Sequence, residues 1–324
     1  MATLLRQFEA DGDVATLFLL GGSQDQTWLE GVPAKVLGSP RDSKIARYLR
    51  YIFQLPFALR AFRPDLILCA DPRSIFVASA IRRVFGVKVK IASWVHFTLD
   101  RLRHTRFLRL ADVHFAISSA VAEGISRRGL RPVHIIYNPV AVSGTWLPRA
   151  QIPTFLYVGR VMIAGPKRTD DFLRALAALN GTFRAVVIGG GPHEAALKEL
   201  SSTLGLADKV SWLGWQTRPW DVAPPCSALV MTSEYEGFGM VLAEAITKGL
   251  PCVSTDCTGP SDIIVPSKNG WLVPVGNIGQ LSDCLQRIID DPSILPTASS
   301  VASTSSRFSA PRITDAMRKA LTPA

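Results

Sequence analysis

Apolar positions along the chain fall into short blocks of two kinds. Residues 13–20, 65–70, 87–94, 113–117 and 133–137 are continuous or alternating apolar runs of strand length. Between them, 43–62, 74–85 and 118–128 space their apolar residues three and four apart, as an amphipathic helix does. The rhythm restarts after Pro148. Strands are predicted at 154–158, 185–188, 209–213, 228–232, 252–254 and 271–273, and helices at 169–179, 193–204, 239–248 and 276–289. Alternating strands and helices give parallel sheets, which bind ligands at the carboxyl ends of their strands.

The stretch 141–153 holds Pro148 and Pro153, lacks periodicity and reads as a linker. The expected division is therefore 1–148, 149–300, and a tail at 301–324 that returns to the first domain. Residues 293–309, rich in Ser, Thr and Ala, read as a loop, and 312–321 as a last helix. The first ten residues already read as an amphipathic helix and lack the apolar centre of a signal peptide.

At 324 residues, 48% of them hydrophobic, the chain is long enough for two cores. No apolar run approaches the ~20 residues that span a bilayer. Its five cysteines are odd in number and form no C-x-x-C pair, which fits buried reduced thiols in the cytoplasm rather than disulfides or a zinc site.

Charge is unevenly placed. Residues 41–110 carry fifteen Lys or Arg against four Asp or Glu, a net +11, whereas the whole chain carries +10. Arg41, Lys44, Arg47 and Arg50 recur every three residues and are followed by Arg60, Arg63, Arg82 and Arg83, with Tyr48, Tyr51, Phe53, Phe57 and Phe62 between them. A basic face laced with aromatics suits an anionic membrane surface or an anionic acceptor. For any single arginine a solvated face is the better explanation. No nucleic-acid recognition motif is present, so nucleic acid is not expected as a partner.

The candidate chemistry lies in the second half. In Glu236-Gly-Phe-Gly-Met-Val-Leu-Ala-Glu244 two carboxylates flank Phe238, Gly239 and an apolar run. On one continuous helix they would sit ~80° apart. The glycines instead place Glu236 in a loop and Glu244 in the helix after it, with backbone N–H groups of the helix start between two acceptors. Such a site asks for a ligand with hydroxyls near a phosphate, and a nucleotide sugar fits. An amphipathic helix with two exposed acids fits the spacing too. Gly159-Arg160 follows one predicted strand and Lys167-Arg168 precede a helix, so these cations could neutralise a diphosphate, although on their own they read as surface charges. No D-x-D-type pair occupies a suitable loop, so a cationic clamp is expected rather than a metal. Gly189-Gly190-Gly191-Pro192 follows another strand and allows either close backbone approach to a ligand or a simple turn.

Taken in order, Phe155-Leu-Tyr-Val-Gly-Arg160, Lys167-Arg168, Val187-Ile-Gly-Gly-Gly191, Ser233 through Glu244 and Asn269-Gly-Trp-Leu-Val273 resemble retaining glycosyltransferases of family 4. The resemblance spans roughly 60–290 and implies the α/β GT-B fold, two Rossmann-like domains facing each other across a cleft. It implies that Glu236 meets the sugar hydroxyls and Glu244 the ribose. Gly159, Gly190, Gly191, Phe238 and Gly239 would line the donor, Arg160 and Lys167 would hold the diphosphate, and His96 would face the sugar from the first domain. No cofactor or metal is implied beyond the nucleotide-sugar donor, which is expected to be UDP-linked.

Ser93–Asp100, Ala116–Ser119, Ile135–Pro139 and Gly214–Trp220 narrow the resemblance to the branch that adds galactose from UDP-galactose to the lipopolysaccharide core, at the inner face of the cytoplasmic membrane. Another nucleotide sugar, with an exopolysaccharide or lipid-linked acceptor, remains an alternative. One departure stands out. Family members begin with a strand and a Gly-Gly loop before their first helix, whereas here the helix comes first and Gly21-Gly22 follows a later strand. The first domain is thus expected to lack that strand and loop. Either the start lies upstream, which the intact donor-site residues favour, or the chain is an impaired relative that only binds.

Overall fold

A computed structural model describes residues 1–21, 29–142 and 144–322; the side chains of Lys44, Arg47 and Tyr48 are not described. Gly22 of the Gly21-Gly22 pair therefore lies outside the described residues. The chain divides into two units, Met1–Pro139 with Ala310–Ala324, and Val140–Ser309.

In the first unit the elements run α1 (Ala2–Ala10), β1 (Leu17–Leu19), β2 (Ala34–Val36), α2 (Lys44–Phe62), β3 (Leu66–Cys69), α3 (Pro72–Phe85), β4 (Lys90–Val95), β5 (Val113–Ala116), α4 (Ser119–Arg127) and β6 (Val133–Ile135), with a 3-10 turn at Thr105–Leu110. The second unit holds β7 (Thr154–Val158), α5 (Thr169–Ala177), β8 (Arg184–Ile188), α6 (Glu194–Thr203), β9 (Val210–Trp212), α7 (Pro219–Val222), β10 (Ala228–Met231), α8 (Met240–Thr247), β11 (Cys252–Thr255), β12 (Gly270–Val273), α9 (Ile278–Asp290) and α10 (Ala298–Ser303). Helix α11 (Ala310–Leu321) returns to the first unit.

Both units are built on parallel sheets. The first has a four-stranded sheet in the order β3-β4-β5-β6 and a separate pair β1-β2, also parallel. Phe18 and Leu20 at β1 and Ile67 of β3 pack on one cluster made by Leu55 and Leu59 of α2 and Ile81 of α3. Helix α11 closes this unit against α1. Arg318 donates to Asp11 at 2.8 Å and also pairs with Asp13, and Thr314 donates to Asp11 at 3.0 Å.

The second unit has a six-stranded parallel sheet, β12-β11-β10-β7-β8-β9. Its central strands β7, β8, β10 and β11 are buried on both faces, which explains why they read as continuous apolar runs. The strand order reverses between β7 and β10, so the loops leaving these neighbours diverge and open a crevice at their carboxyl ends.

The Ser/Thr-rich segment 293–309 is a correction to the sequence reading. It is not a loop but short helical turns around α10. Thr297 caps α10 by accepting from the Ser300 N–H at 3.3 Å, while Val301 and Phe308 are fully buried. Ile294, Leu295, Val301 and Phe308 among many hydroxyls give no helical period, yet they pin the segment. Strand β2, the short α7 and the 3-10 turn at Thr105–Leu110 were also absent from the sequence reading. Each is too short to show a period.

Candidate active site

The reversal point between β7 and β10 brings together side chains 69 positions apart in sequence. The Lys167 ammonium, at the end of the loop after β7, donates to Glu236 Oε1 in the loop after β10. Ser233 Oγ donates to the same oxygen at 2.8 Å. The lysine and glutamate side chains are 28% and 15% exposed, so the pair is shielded yet reachable.

Both loops are held by neighbours rather than by chance. Thr232 Oγ1 donates to the carbonyls of Lys167 (3.1 Å) and Arg168 (2.8 Å), tying the end of β10 to the lysine loop. Thr169 Oγ1 accepts from Met162 N–H at 2.9 Å, and the Tyr157 hydroxyl donates to the Arg160 carbonyl at 3.0 Å. Arg160 itself is exposed. Arg168 is engaged elsewhere, with Nε and Nη2 donating to the Asp171 carboxylate at 2.6 and 3.2 Å. That bidentate bond raises the Arg168 pKa and leaves Arg160 and Lys167 as the cations of the loop.

On the other side, the Glu236 carbonyl accepts from Thr258 Oγ1 (2.5 Å) and Gly259 N–H (3.1 Å). A Cβ at Gly259 would lie 2.5 Å from the Phe238 oxygen, so only glycine permits this contact. Phe238 is buried edge-on against Phe308, with ring centroids 5.4 Å apart. The segment misread as a loop is thus the floor of the Glu236 turn.

Gly239 takes φ 99° as the N-cap of α8, and no side chain caps the helix. Glu244 sits one turn on. Burial raises its pKa, and the opposing influence is the Trp220 indole N–H, which donates to Glu244 Oε2 at 2.9 Å. Trp220, Ser233, Thr232 and Thr258 had no assigned role from sequence. Trp220 was visible only as part of the Gly214–Trp220 resemblance.

The glycine loop has a specific reason to be glycine. A Cβ at Gly189 would come within 1.8 Å of the Gly159 oxygen, and one at Gly191 within 2.2 Å of the Val161 oxygen. Val161 N–H donates to the Gly190 carbonyl at 3.2 Å, so the loops after β7 and β8 lie backbone to backbone. Gly190 alone of the three has room, with the Trp215 Cβ 3.5 Å away.

His96 belongs to the first unit and directly follows β4. It lies against Trp94, with ring centroids 4.5 Å apart. Burial, then the nearby N-terminal ammonium, pushes its pKa down to about 4, so the imidazole is neutral at pH 7. A cavity of about 370 Å³ lined by Arg109, His114, Arg128 and Arg131 opens instead at the amino ends of β5 and β6. No cluster of three or more metal-ligating side chains occurs among the described residues. The cysteines are unbridged; Cys69, Cys226, Cys252 and Cys257 are buried, and burial raises the pKa of all five.

Comparison with known proteins gives this arrangement a context. The sequence pattern described as Glycosyltransferase Family 4 matches residues 1–143, and that described as Glycosyl transferases group 1 matches residues 147–304. The lipopolysaccharide 1,6-galactosyltransferase of Escherichia coli K12 is 34% identical over 84% of this chain and 79% of its own. The enzyme of the same name from Salmonella typhimurium LT2 is equally similar. The solved lipopolysaccharide outer core galactosyltransferase WaaB superposes with a TM-score of 0.87 at 30% identity, over 99% of this chain and 93% of that one. HepE of Anabaena, solved with UDP, shares the fold with a TM-score of 0.84 at 20% identity, over 98% of this chain and 94% of that one.

Proposed function

The chain belongs to glycosyltransferase family 4, with its two-domain α/β GT-B fold, and from that premise we propose that it transfers galactose from UDP-galactose to the core of lipopolysaccharide. The carrying observation is the Lys167–Glu236 pair at the reversal point of the second sheet, with Glu244 on the helix that follows. The 34% identity to two lipopolysaccharide galactosyltransferases supports the choice of hexose and acceptor.

The chemistry follows from charge. As the bond between the sugar C1 and the β-phosphate oxygen breaks, negative charge grows on the diphosphate. Lys167 and Arg160 are the cations of the lysine loop that can meet it, and a fixed charge in a shielded site needs no reorganisation at that moment. The reaction on this reading needs neither a metal nor another cofactor. Glu236, freed from Lys167 when the diphosphate takes the ammonium, accepts hydroxyls of the sugar. Glu244, oriented by Trp220, accepts those of the ribose. The neutral imidazole of His96 is suited to bonding a sugar hydroxyl without adding charge. The acceptor oxygen forms its bond to C1 on the face the diphosphate leaves, its proton passing to the departing phosphate oxygen, so the anomeric configuration is retained. The acceptor places this work at the inner face of the cytoplasmic membrane. No described helix is long and apolar enough to cross one.

The test is transfer from a panel of UDP-sugars to lipopolysaccharide truncated at an outer-core glucose, with product configuration read by NMR. An α-galactosyl product from UDP-galactose alone is expected. Preference for another donor would overturn the galactose assignment, and UDP binding without transfer to any acceptor would favour an impaired, binding-only relative.

A further inference from the structure

Helix α2 packs only one side of itself. Leu55 and Leu59 are buried against Ile81, yet Ile45, Leu49, Ile52, Phe53 and Phe57 are 50–74% exposed. At ~100° per residue these five fall within an arc of about 140°, and Ile45 to Phe57 extends about 18 Å. Single exposed apolar side chains are ordinary, but five on one face of one helix form a patch that something covers.

The charge on α2 selects what covers it. Lys44–Phe62 contains Lys44, Arg47, Arg50 and Arg60 and not one Asp or Glu. Exposed Arg60 falls inside the apolar arc, and exposed Arg41 and Arg63 bracket the helix. Arg50 is paired with Asp42 at 3.3 Å, so its charge is partly met within the protein. A second copy docking face to face would bring two acid-free basic helices together. An anionic bilayer instead supplies phosphates for the arginines and an apolar layer for the phenylalanines.

We infer that the exposed face of α2, centred on Ile52, Phe53, Phe57 and Arg60, docks the protein on a membrane surface containing anionic lipid. The helix lies in the interface plane, with the aromatic rings below the headgroups and the arginines among them. This rests on the reading that the acceptor is membrane-held, but its test needs neither donor nor acceptor.

The experiment is co-sedimentation of the full chain with phosphatidylcholine vesicles, with and without about one-third phosphatidylglycerol, across rising NaCl. The chain should pellet only with anionic vesicles and be released by salt. Combined Ile52→Ser, Phe53→Ser and Phe57→Ser should weaken vesicle binding at least ~10-fold with an unchanged Tm, because these side chains leave no cavity behind. Arg60→Gln with Arg41→Gln should flatten the salt dependence. Equal binding to neutral vesicles, or full binding by the serine variant, overturns the inference. So does a dimer that the serine variant converts to monomer in ultracentrifugation, since a second copy would then cover the face. Vesicle binding by a chain that transfers no galactose would sink the proposed reaction and leave this surface standing.

Discussion

Glu236→Gln separates two jobs that one carboxylate does. Glu236 is paired with Lys167, and in the proposed reaction it lets go of the ammonium and accepts from sugar hydroxyls. The amide keeps the shape and can still accept from Ser233 and Lys167. It loses the charge. The amide's bond to the ammonium still has one charged partner, so what is lost is the Coulomb part of the ion pair, about 1 kcal/mol. Partial exposure of the pair trims that figure. UDP, which needs the lysine but not the glutamate, should therefore bind equally well or up to ~5-fold more tightly in calorimetry. Turnover should fall by ~10²–10³, the usual cost of removing a group aimed at the reacting centre. Stability should barely move, because Thr258 and Gly259 hold the Glu236 backbone and not its side chain. UDP binding weakened tenfold or more would refute the reasoning. The glutamate would then be what positions Lys167 for the diphosphate, and the exchange of partners would not occur.

Trp220→Phe removes the indole N–H that donates to Glu244 while keeping an aromatic ring, and should weaken UDP binding by about 1 kcal/mol, roughly fivefold, in the same calorimetry. Gly189→Ala should lower stability by ~3 kcal/mol or more in urea titration, since its Cβ would sit 1.8 Å from the Gly159 oxygen, whereas Gly190→Ala should change it by less than ~0.5. For pH, His96 has a folded pKa of about 4 against 6.5 for the ordinary group. Between those values the unfolded chain binds a proton that the folded one refuses. Its contribution to stability is thus intact above pH 6.5 and is lost as pH falls toward 4, by up to ~3 kcal/mol. His96→Gln should flatten that slope in urea midpoints measured from pH 7 to 4.5; an identical slope would show that the imidazole is not buried neutral.

The strands of the two larger sheets and the major helices were legible because the apolar runs that carry them are long enough to show a pattern. The candidate site residues drew notice for another reason, since glycines, cations and carboxylates gathered at predicted strand ends are the groups a phosphate- and hydroxyl-bearing ligand would need. What stayed hidden was support across sequence distance. Nothing near Ser305 or Phe308 announces that a ring from that segment will underpin Phe238. Nor does Trp220 advertise that its indole faces Glu244. Lys167 and Arg168 look equivalent in sequence, yet an aspartate three residues on claims one of them. Local pattern predicts elements, whereas partners depend on the order of strands in the sheet.

Arg318 and Asp11, joined across the α1–α11 contact, are 307 residues apart in the chain. At ~5–20 residues per second of synthesis, roughly 15–60 s separate their emergence from the ribosome. Throughout that interval Leu4 and Leu5 have no α11 to pack against, while the second unit, continuous from Val140 to Ser309, can close on its own. The half of the protein made first is therefore the half completed last, and a nascent chain stalled before Ala310 would present chaperones and proteases with an unfinished amino-terminal unit.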